Sequence, residues 1–246
     1  MRTALVRRAL LAASGASLAL LATACGPSDG AGAEQDAKPS AAAPSPSPSP
    51  TPEAKALTAA ELEKLTLADG DVRDVKIAKA GADDVAKAAE VTTDKPECTA
   101  LAQAGGLAPV GAAVTTTERI GVGKPSDPAD PMSVSATSVQ LASYDGKGAE
   151  EALASLKAAG QACGGGFTTT AKGEKTTVKS VTPSAVTAGD EAAAWTIATE
   201  DEGEALNSQM VAFRKGNNLV VVHTVRFDAK PASAQAFIDA QVKKLG

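Results

Sequence analysis

The last third of the sequence is a succession of short strand-like segments with no helical segment between them. Alternation and β-branched residues predict strands at 166–171, 176–182, 191–199, 205–214 and 218–227. Parallel neighbours would need long crossover connections, usually helices, whereas antiparallel neighbours are joined by tight turns. The segment Arg214-Lys-Gly-Asn-Asn218 is such a turn, because Gly and Asn tolerate positive φ. This region therefore predicts an antiparallel sheet.

The residues before this region predict further strands and a few helices. Strands are expected at 72–78, 112–122 and 133–144, and helices at 58–66, from Pro96, at 147–162 and from Pro231 to the end. Thr58 and Glu61 form a capping-box pattern at the start of the first helix. The predicted fold class is α+β: an antiparallel β-sheet packed with a few α-helices, in a single domain over residues 57–246.

A proline-, serine- and alanine-rich segment precedes this domain. Residues 26–56 contain no aromatic residue and no aliphatic residue larger than alanine, so burial cannot offset the entropy cost of ordering them. Residues 25–56 are accordingly predicted to be a disordered tether. The segment is either a bare spacer or a glycosylated stalk, with sugars on Ser45, Ser47, Ser49 and Thr51.

The first 24 residues have the three parts of an export signal. Arginines at the start precede an apolar run of about 13 residues, shorter than the roughly 20 that span a bilayer, and small residues follow. Residues 1–24 are therefore predicted to be a cleaved leader.

The residues around Cys25 resemble the bacterial lipobox, with Ala24 before the cysteine and Gly26 after it. Ala22 departs from that pattern, since leucine is usual at its position. The resemblance implies that the Cys25 thiol receives a diacylglycerol and that the new amino terminus takes a further acyl chain such as palmitate. The alternative is an ordinary signal peptide that leaves Cys25 as a free thiol. Lipidation predicts a protein anchored on the extracytoplasmic face of the plasma membrane.

Two cysteines, Cys98 and Cys163, lie in the predicted domain. An exported domain meets an oxidising environment, so a disulfide between them is expected. The alternative is a metal site, but two thiolates supply half of a tetrahedral zinc shell, and the chain has a single histidine far away in sequence. No metal site and no cofactor are predicted.

His223 is the only histidine, and it lies within an apolar strand segment. General-base catalysis would require a nucleophile and an orienting acid at a recognisable spacing, and no such motif is present. The prediction is packing on a sheet face, with a ligand contact as the alternative. Trp195 alternates with apolar neighbours and is predicted to be in the core. No catalytic residue is identified, and the chain is predicted not to be an enzyme.

Four other acidic or glycine-rich patterns are better explained as turns than as sites. The carboxylates of Asp69, Asp71 and Asp74 suggest calcium, yet the twelve-residue ligand loop is missing. Asp127 and Asp130 lie between prolines and are also predicted to belong to a solvated loop. The glycines at 164–166 are not followed by the GK[ST] sequence of a phosphate-binding loop, so they predict the end of a helix and a turn. The acidic residues at 200–204 are predicted to be a solvated hairpin tip.

The charge balance argues against nucleic-acid binding. The formal net charge is −5, and aromatic residues make up 2% of the chain. Affinity for nucleic acids comes mainly from basic side chains and, for single strands, from aromatic stacking. No nucleic-acid partner is predicted.

The domain resembles the extracellular sensor domain of actinobacterial PknH-type serine/threonine kinases, which also occurs in stand-alone lipoproteins. The matching features are Leu57 with Glu61-Leu62, Pro96-Glu97-Cys98, Tyr144 before the helix that leads to Cys163, Gly189-Asp190-Glu191, and Arg214-Lys215-Gly216-Asn217. The resemblance implies an extracellular domain with a cleft for an unidentified ligand. Members of the family commonly have two disulfides, whereas only the Cys98–Cys163 pair matches here.

Together these patterns predict a cell-surface lipoprotein with a non-catalytic domain that binds a small molecule, a lipid or another envelope protein. The ligand-binding residues are not identified by any motif. The alternatives are a scaffold lipoprotein without a ligand and an envelope enzyme with a non-standard site.

Overall fold

The strands form one continuous antiparallel sheet. The computed structural model describes residues 54–130, 133–201, 204–226 and 233–246. Across these residues the spatial order of the strands is β1-β3-β4-β9-β8-β7-β6-β5-β2. Their bounds are β1 (Val75–Lys79), β2 (Val91–Thr93), β3 (Thr115–Gly123), β4 (Ser135–Ser143), β5 (Phe167–Ala171), β6 (Glu174–Ser184), β7 (Glu191–Asp201), β8 (Glu204–Lys215) and β9 (Asn218–Arg226).

Helices cover both faces of this sheet. They are α1 (Ala59–Leu65), α2 (Thr99–Gly105), α3 (Gly148–Ala162) and α4 (Gln235–Leu245). Side chains alternate between the faces along each strand. Met210 and Val221 therefore belong to the core under α2 and α3, while Val211 and Val222 belong to the core with α1 and α4.

The fold class and the single domain agree with the sequence prediction, with local differences at element ends. β1 begins at Val75 rather than at residue 72, because Asp74 has a φ of 58° and interrupts the extended backbone. The helix predicted from Pro96 starts as a 3-10 turn and continues as α2. The closing helix is described from Gln235, and its predicted start at Pro231 lies outside the described residues.

The short strand β2 was not predicted from the sequence. It has three residues and pairs with β5 at the edge of the sheet. A segment of this length carries too little alternation to be distinguished from a loop.

The last residues of the predicted tether are hydrogen-bonded to the domain. The amide of Gly146 donates to the Ala54 carbonyl, Asn217 Nδ2 donates to the Lys55 carbonyl, and the amide of Ala56 donates to Asp145 Oδ1. The ordered structure therefore includes three residues before the predicted start at 57. The predicted leader, Cys25 and the candidate glycosylation residues lie outside the described residues.

No helix among the described residues combines the length and the apolar character needed to cross a bilayer.

Candidate functional site

A cavity of about 270 Å³ lies between the carboxyl end of α2 and the sheet. The residues around it come from α2 and the turn after it and from five neighbouring strands, β5 to β9. They are Leu101, Ala102, Gly105, Gly106, Phe167, Thr169, Ala171, Thr176, Val178, Ile197, Thr199, Leu206, Ser208, Met210, His223 and Val225. All the strand residues project on the face that α2 and α3 cover. α2 has seven residues, and it forms the opposite wall of the cavity together with the turn that follows it.

His223 and Ser208 are the polar pair in the cavity wall. They lie on the adjacent strands β9 and β8, and the imidazole Nε2 is 2.8 Å from Ser208 Oγ. Ser208 is buried, and its hydroxyl also lies 3.4 Å from the Ile197 carbonyl. His223 stands opposite Met210 in the register of the two strands. The sheet thus holds an imidazole and a hydroxyl side by side at the cavity.

His223 is neutral under ordinary conditions. Burial lowers the pKa of its imidazole to about 4, because the surrounding residues replace the water that would solvate the charged form. The sequence left open whether this histidine packs on the sheet or contacts a ligand. The structure places it half-buried on the sheet face, where one part of its surroundings is protein and another part is the cavity.

The disulfide positions the helix that forms one wall of the cavity. Cys98 and Cys163 are joined with their Cα atoms 5.9 Å apart. Cys98 immediately precedes α2, and Cys163 immediately follows α3. Since α3 packs directly on the sheet, the bond fixes the start of α2 relative to the strands below the cavity.

A larger but more open depression, of about 660 Å³, lies at the start of β1. Its charges are already paired with one another: Asp69 with Lys76 at 2.5 Å and Asp74 with Lys124 at 2.8 Å. The hydrogen bonds from these lysines hold the pKa of each carboxyl below its usual value. The cavity beside His223 is smaller but better enclosed, which makes it the better candidate for a ligand site.

The structure does not assemble the suspected calcium site. Asp71 faces Lys244 at 2.7 Å, so each of the three aspartates has its own lysine. Across the described residues, no group of three His, Cys, Asp or Glu side chains is placed to hold a metal ion. The aspartates form solvated turns, as the missing ligand loop predicted.

The other sequence patterns also have structural explanations. Asp127 accepts a hydrogen bond from the amide of Ala129 within the predicted loop. Gly166 has a φ of 78° and its amide donates to the Cys163 carbonyl, which ends α3 with a turn. Trp195 is buried in the core, as predicted. The acidic segment joins β7 to β8 in a hairpin, and part of its tip lies outside the described residues.

Sequence reasoning missed all the cavity residues except His223 as a possible ligand contact. The available signal was the alternation of side chains along each strand, which puts Ser208, Met210, His223 and Val225 on one face of β8 and β9. Which strands become neighbours, and where a helix stops short, could not be obtained from that signal.

No protein-family model and no curated protein matches the sequence. Among solved structures, the chain is similar to the crystal structure of the extracellular domain of PknH from Mycobacterium tuberculosis, with a TM-score of 0.52 and 16% identity. The match covers 78% of this chain and 97% of that chain. At this identity the likeness shows the fold: the described domain has the fold of the PknH extracellular domain.

Proposed function

We propose that this protein is a lipid-anchored, extracytoplasmic, non-catalytic domain that binds a small molecule in the cavity beside His223. The observation that carries the proposal is the cavity itself. It combines a partly enclosed, mainly apolar wall with one neutral polar pair, the usual composition of small-molecule sites. It lies between α2 and the sheet and is the candidate for the ligand cleft that the family resemblance implies.

The extracytoplasmic location rests on independent features. The leader, the lipobox-like sequence at Cys25 and the disulfide all suit an exported protein. The structural neighbour is itself described as an extracellular domain. Anchoring through acyl chains on Cys25 makes the plasma membrane the first partner of this chain.

Native mass spectrometry of the protein purified from its own cells tests ligand binding. Gly105→Leu is a suitable cavity-filling variant, because a Cβ at Gly105 meets only Met210 Cε, at 3.9 Å. Gly165→Leu is the matched control, since a Cβ there meets nothing within 4 Å. We expect a co-purified mass in the wild type and in Gly165→Leu that is absent from Gly105→Leu. Equal occupancy in all three proteins, or none in any, would favour a scaffold without a ligand at this site.

Detergent phase separation tests the anchor. The wild-type protein should enter the detergent phase and carry an acylated amino-terminal cysteine, whereas Cys25→Ser should remain in the aqueous phase. A wild-type protein found in the aqueous phase without an acyl mass would contradict this part of the proposal.

The Ser208–His223 pair favours one alternative, a hydrolase. A serine beside a histidine is the core of nucleophilic catalysis, but a histidine with a pKa of about 4 is a weak general base near neutral pH. No side chain among the described residues around the cavity is a carboxylate that could orient the imidazole. A fluorophosphonate probe should leave Ser208 unlabelled, and labelling that disappears in Ser208→Ala would instead support the hydrolase.

A further inference from the structure

We propose that the ligand of this cavity is an uncharged, predominantly apolar molecule whose single hydrogen-bonding group meets the imidazole of His223. This inference rests on the proposed function and specifies the ligand class. It follows from three properties of the cavity: the absence of ionised groups among the described residues of its wall, the use of its hydroxyls within the protein, and its size.

The described part of the wall offers no charge to neutralise a charged ligand. Among the described residues around the cavity, no side chain is Asp, Glu, Lys or Arg, and His223 is neutral. A charge moved from water into an apolar site without a partner is strongly disfavoured. A carboxylate, phosphate or ammonium group would therefore remain outside, whereas a neutral group could enter.

Most of the hydroxyl groups in the wall already bond within the protein. Thr169 Oγ1 donates to the Thr92 carbonyl, and Thr199 Oγ1 lies 3.5 Å from the Leu206 carbonyl. Ser208 is bonded to His223 and is buried. Thr176 is exposed at the rim. Among the described side chains of the cavity wall, the imidazole is therefore the group left to bind a ligand.

His223 can make one more hydrogen bond. Nε2 is occupied by Ser208, and no hydrogen bond to Nδ1 is found among the described residues. Which nitrogen of a neutral imidazole carries the proton depends on its partners, so Nδ1 can donate or accept. A ligand hydroxyl can take either role, which makes an alcohol the simplest matching group.

The size of the cavity limits the apolar part of the ligand. An enclosed apolar cavity of about 150 Å³ holds benzene, so the 270 Å³ found here accommodates a molecule roughly twice that size. A medium-length alkyl chain or a two-ring compound fits this limit.

Three probes with the same alkyl chain and different head groups test the inference: 1-octanol, octanoate and octylammonium. Titration of the full chain near neutral pH can be followed through methyl-labelled methionines by NMR. The chain contains three methionines; Met210 lines the cavity, and Met1 and Met132 lie outside the described residues. Octanol should shift the Met210 methyl signal and bind at least about tenfold more tightly than either charged probe.

Variants assign this binding to the cavity and to the imidazole. Gly105→Leu should abolish the Met210 shift, while Gly165→Leu should preserve it. His223→Phe keeps a ring at the site but removes the hydrogen bond, and should weaken octanol binding up to about tenfold. Should His223→Phe fail to fold, His223→Leu serves as the second variant: it also removes the hydrogen-bonding group and should weaken octanol binding to a similar extent.

The possible failures are distinguishable. Tighter binding of octanoate or octylammonium, sensitive to Gly105→Leu, would overturn the inference and leave the proposed function standing. Equal affinities of wild type and His223→Phe for octanol would overturn the role of the imidazole. If none of the three probes shifts Met210 and no mass co-purifies with the wild-type protein, both the inference and the proposed function are wrong.

Discussion

The indole of Trp195, on β7, occupies the space that a side chain at Gly160, on α3, would need. A Cβ built on Gly160 would overlap Nε1 of the indole. Glycine inside a helix is normally unfavourable by about 1 kcal/mol relative to alanine. Here it lets α3 approach the sheet closely enough to seal one side of the core.

Gly160→Ala should lower the free energy of unfolding by about 1–3 kcal/mol, because the added methyl forces the indole or the helix to move. Chemical denaturation measures this change. Gly105→Ala is the control, since its Cβ would lie 3.9 Å from Met210 Cε in ordinary contact. The control should be neutral or slightly stabilising, and equal destabilisation of both variants would contradict the packing argument.

Stability should fall as the pH drops from about 6.5 towards 4. Burial lowers the pKa of His223 to about 4 from the model-peptide value of 6.5, so the unfolded chain binds more protons than the folded chain in this range. The free energy of unfolding therefore decreases on acidification, by at most about 1.4 kcal/mol per pH unit. Urea unfolding at several pH values provides the measurement.

His223→Gln is the control for this pH dependence. His223 is the only histidine, and carboxyls such as Asp69 and Asp74, whose pKa values are lowered by their lysine partners, remain ionised above about pH 5. The variant should show a flat profile between about pH 5 and 6.5. An unchanged slope would mean that another group titrates.

Reduction of the Cys98–Cys163 disulfide should destabilise the domain and loosen the cavity wall. The bond closes a loop with a sequence separation of 65 residues, for which the chain-entropy model gives about 4 kcal/mol. Thermal unfolding with and without a reductant tests the loss of stability. The Met210 methyl signal should broaden on reduction, because α2 is then tethered only by packing. The double variant Cys98→Ala/Cys163→Ala should reproduce both effects without a reductant, and an unaltered Met210 signal would separate the disulfide from the cavity.

Arg119 on β3 should contribute more through its hydrogen bond to the main chain than through its ion pair. Its side chain is 7% exposed, and Nε donates to the Leu67 carbonyl at 2.9 Å. Glu63, its ionic partner, is 48% exposed. Arg119→Lys should lower the free energy of unfolding by about 1–3 kcal/mol, because it leaves a buried carbonyl without its donor.

Glu63→Gln should cost less than about 1 kcal/mol, as exposed ion pairs usually do. Urea denaturation of the two variants side by side makes the comparison. A larger effect for Glu63→Gln than for Arg119→Lys would reverse the assignment.

Local sequence patterns predicted most of the secondary structure correctly. The capping box at Thr58 and Glu61 is present in α1, with Thr58 Oγ1 accepting from the Glu61 amide. The predicted turn at 214–218 joins β8 to β9, with Gly216 at a φ of 58°. These features depend on residues a few positions apart, so they can be read directly from the chain.

The order of the strands in the sheet could not be predicted from such local patterns. β9, the last strand in sequence, lies in the middle of the sheet between β4 and β8, and β2 pairs with β5 at an edge. Alternation shows that a segment is a strand with two different faces, but it contains no information about which distant strand will be its neighbour.

The sequence by itself determined the antiparallel α+β class and the positions of most helices and strands. It also determined, through the alternation of side chains along a strand, that His223 lies on the same face as Val221 and Val225. Tertiary structure alone decided that Ser208 meets His223 and that α2 ends before covering them. The physical reason is distance along the chain: periodicity and capping act within a few residues, whereas the cavity depends on the packing of segments from Leu101 to Val225.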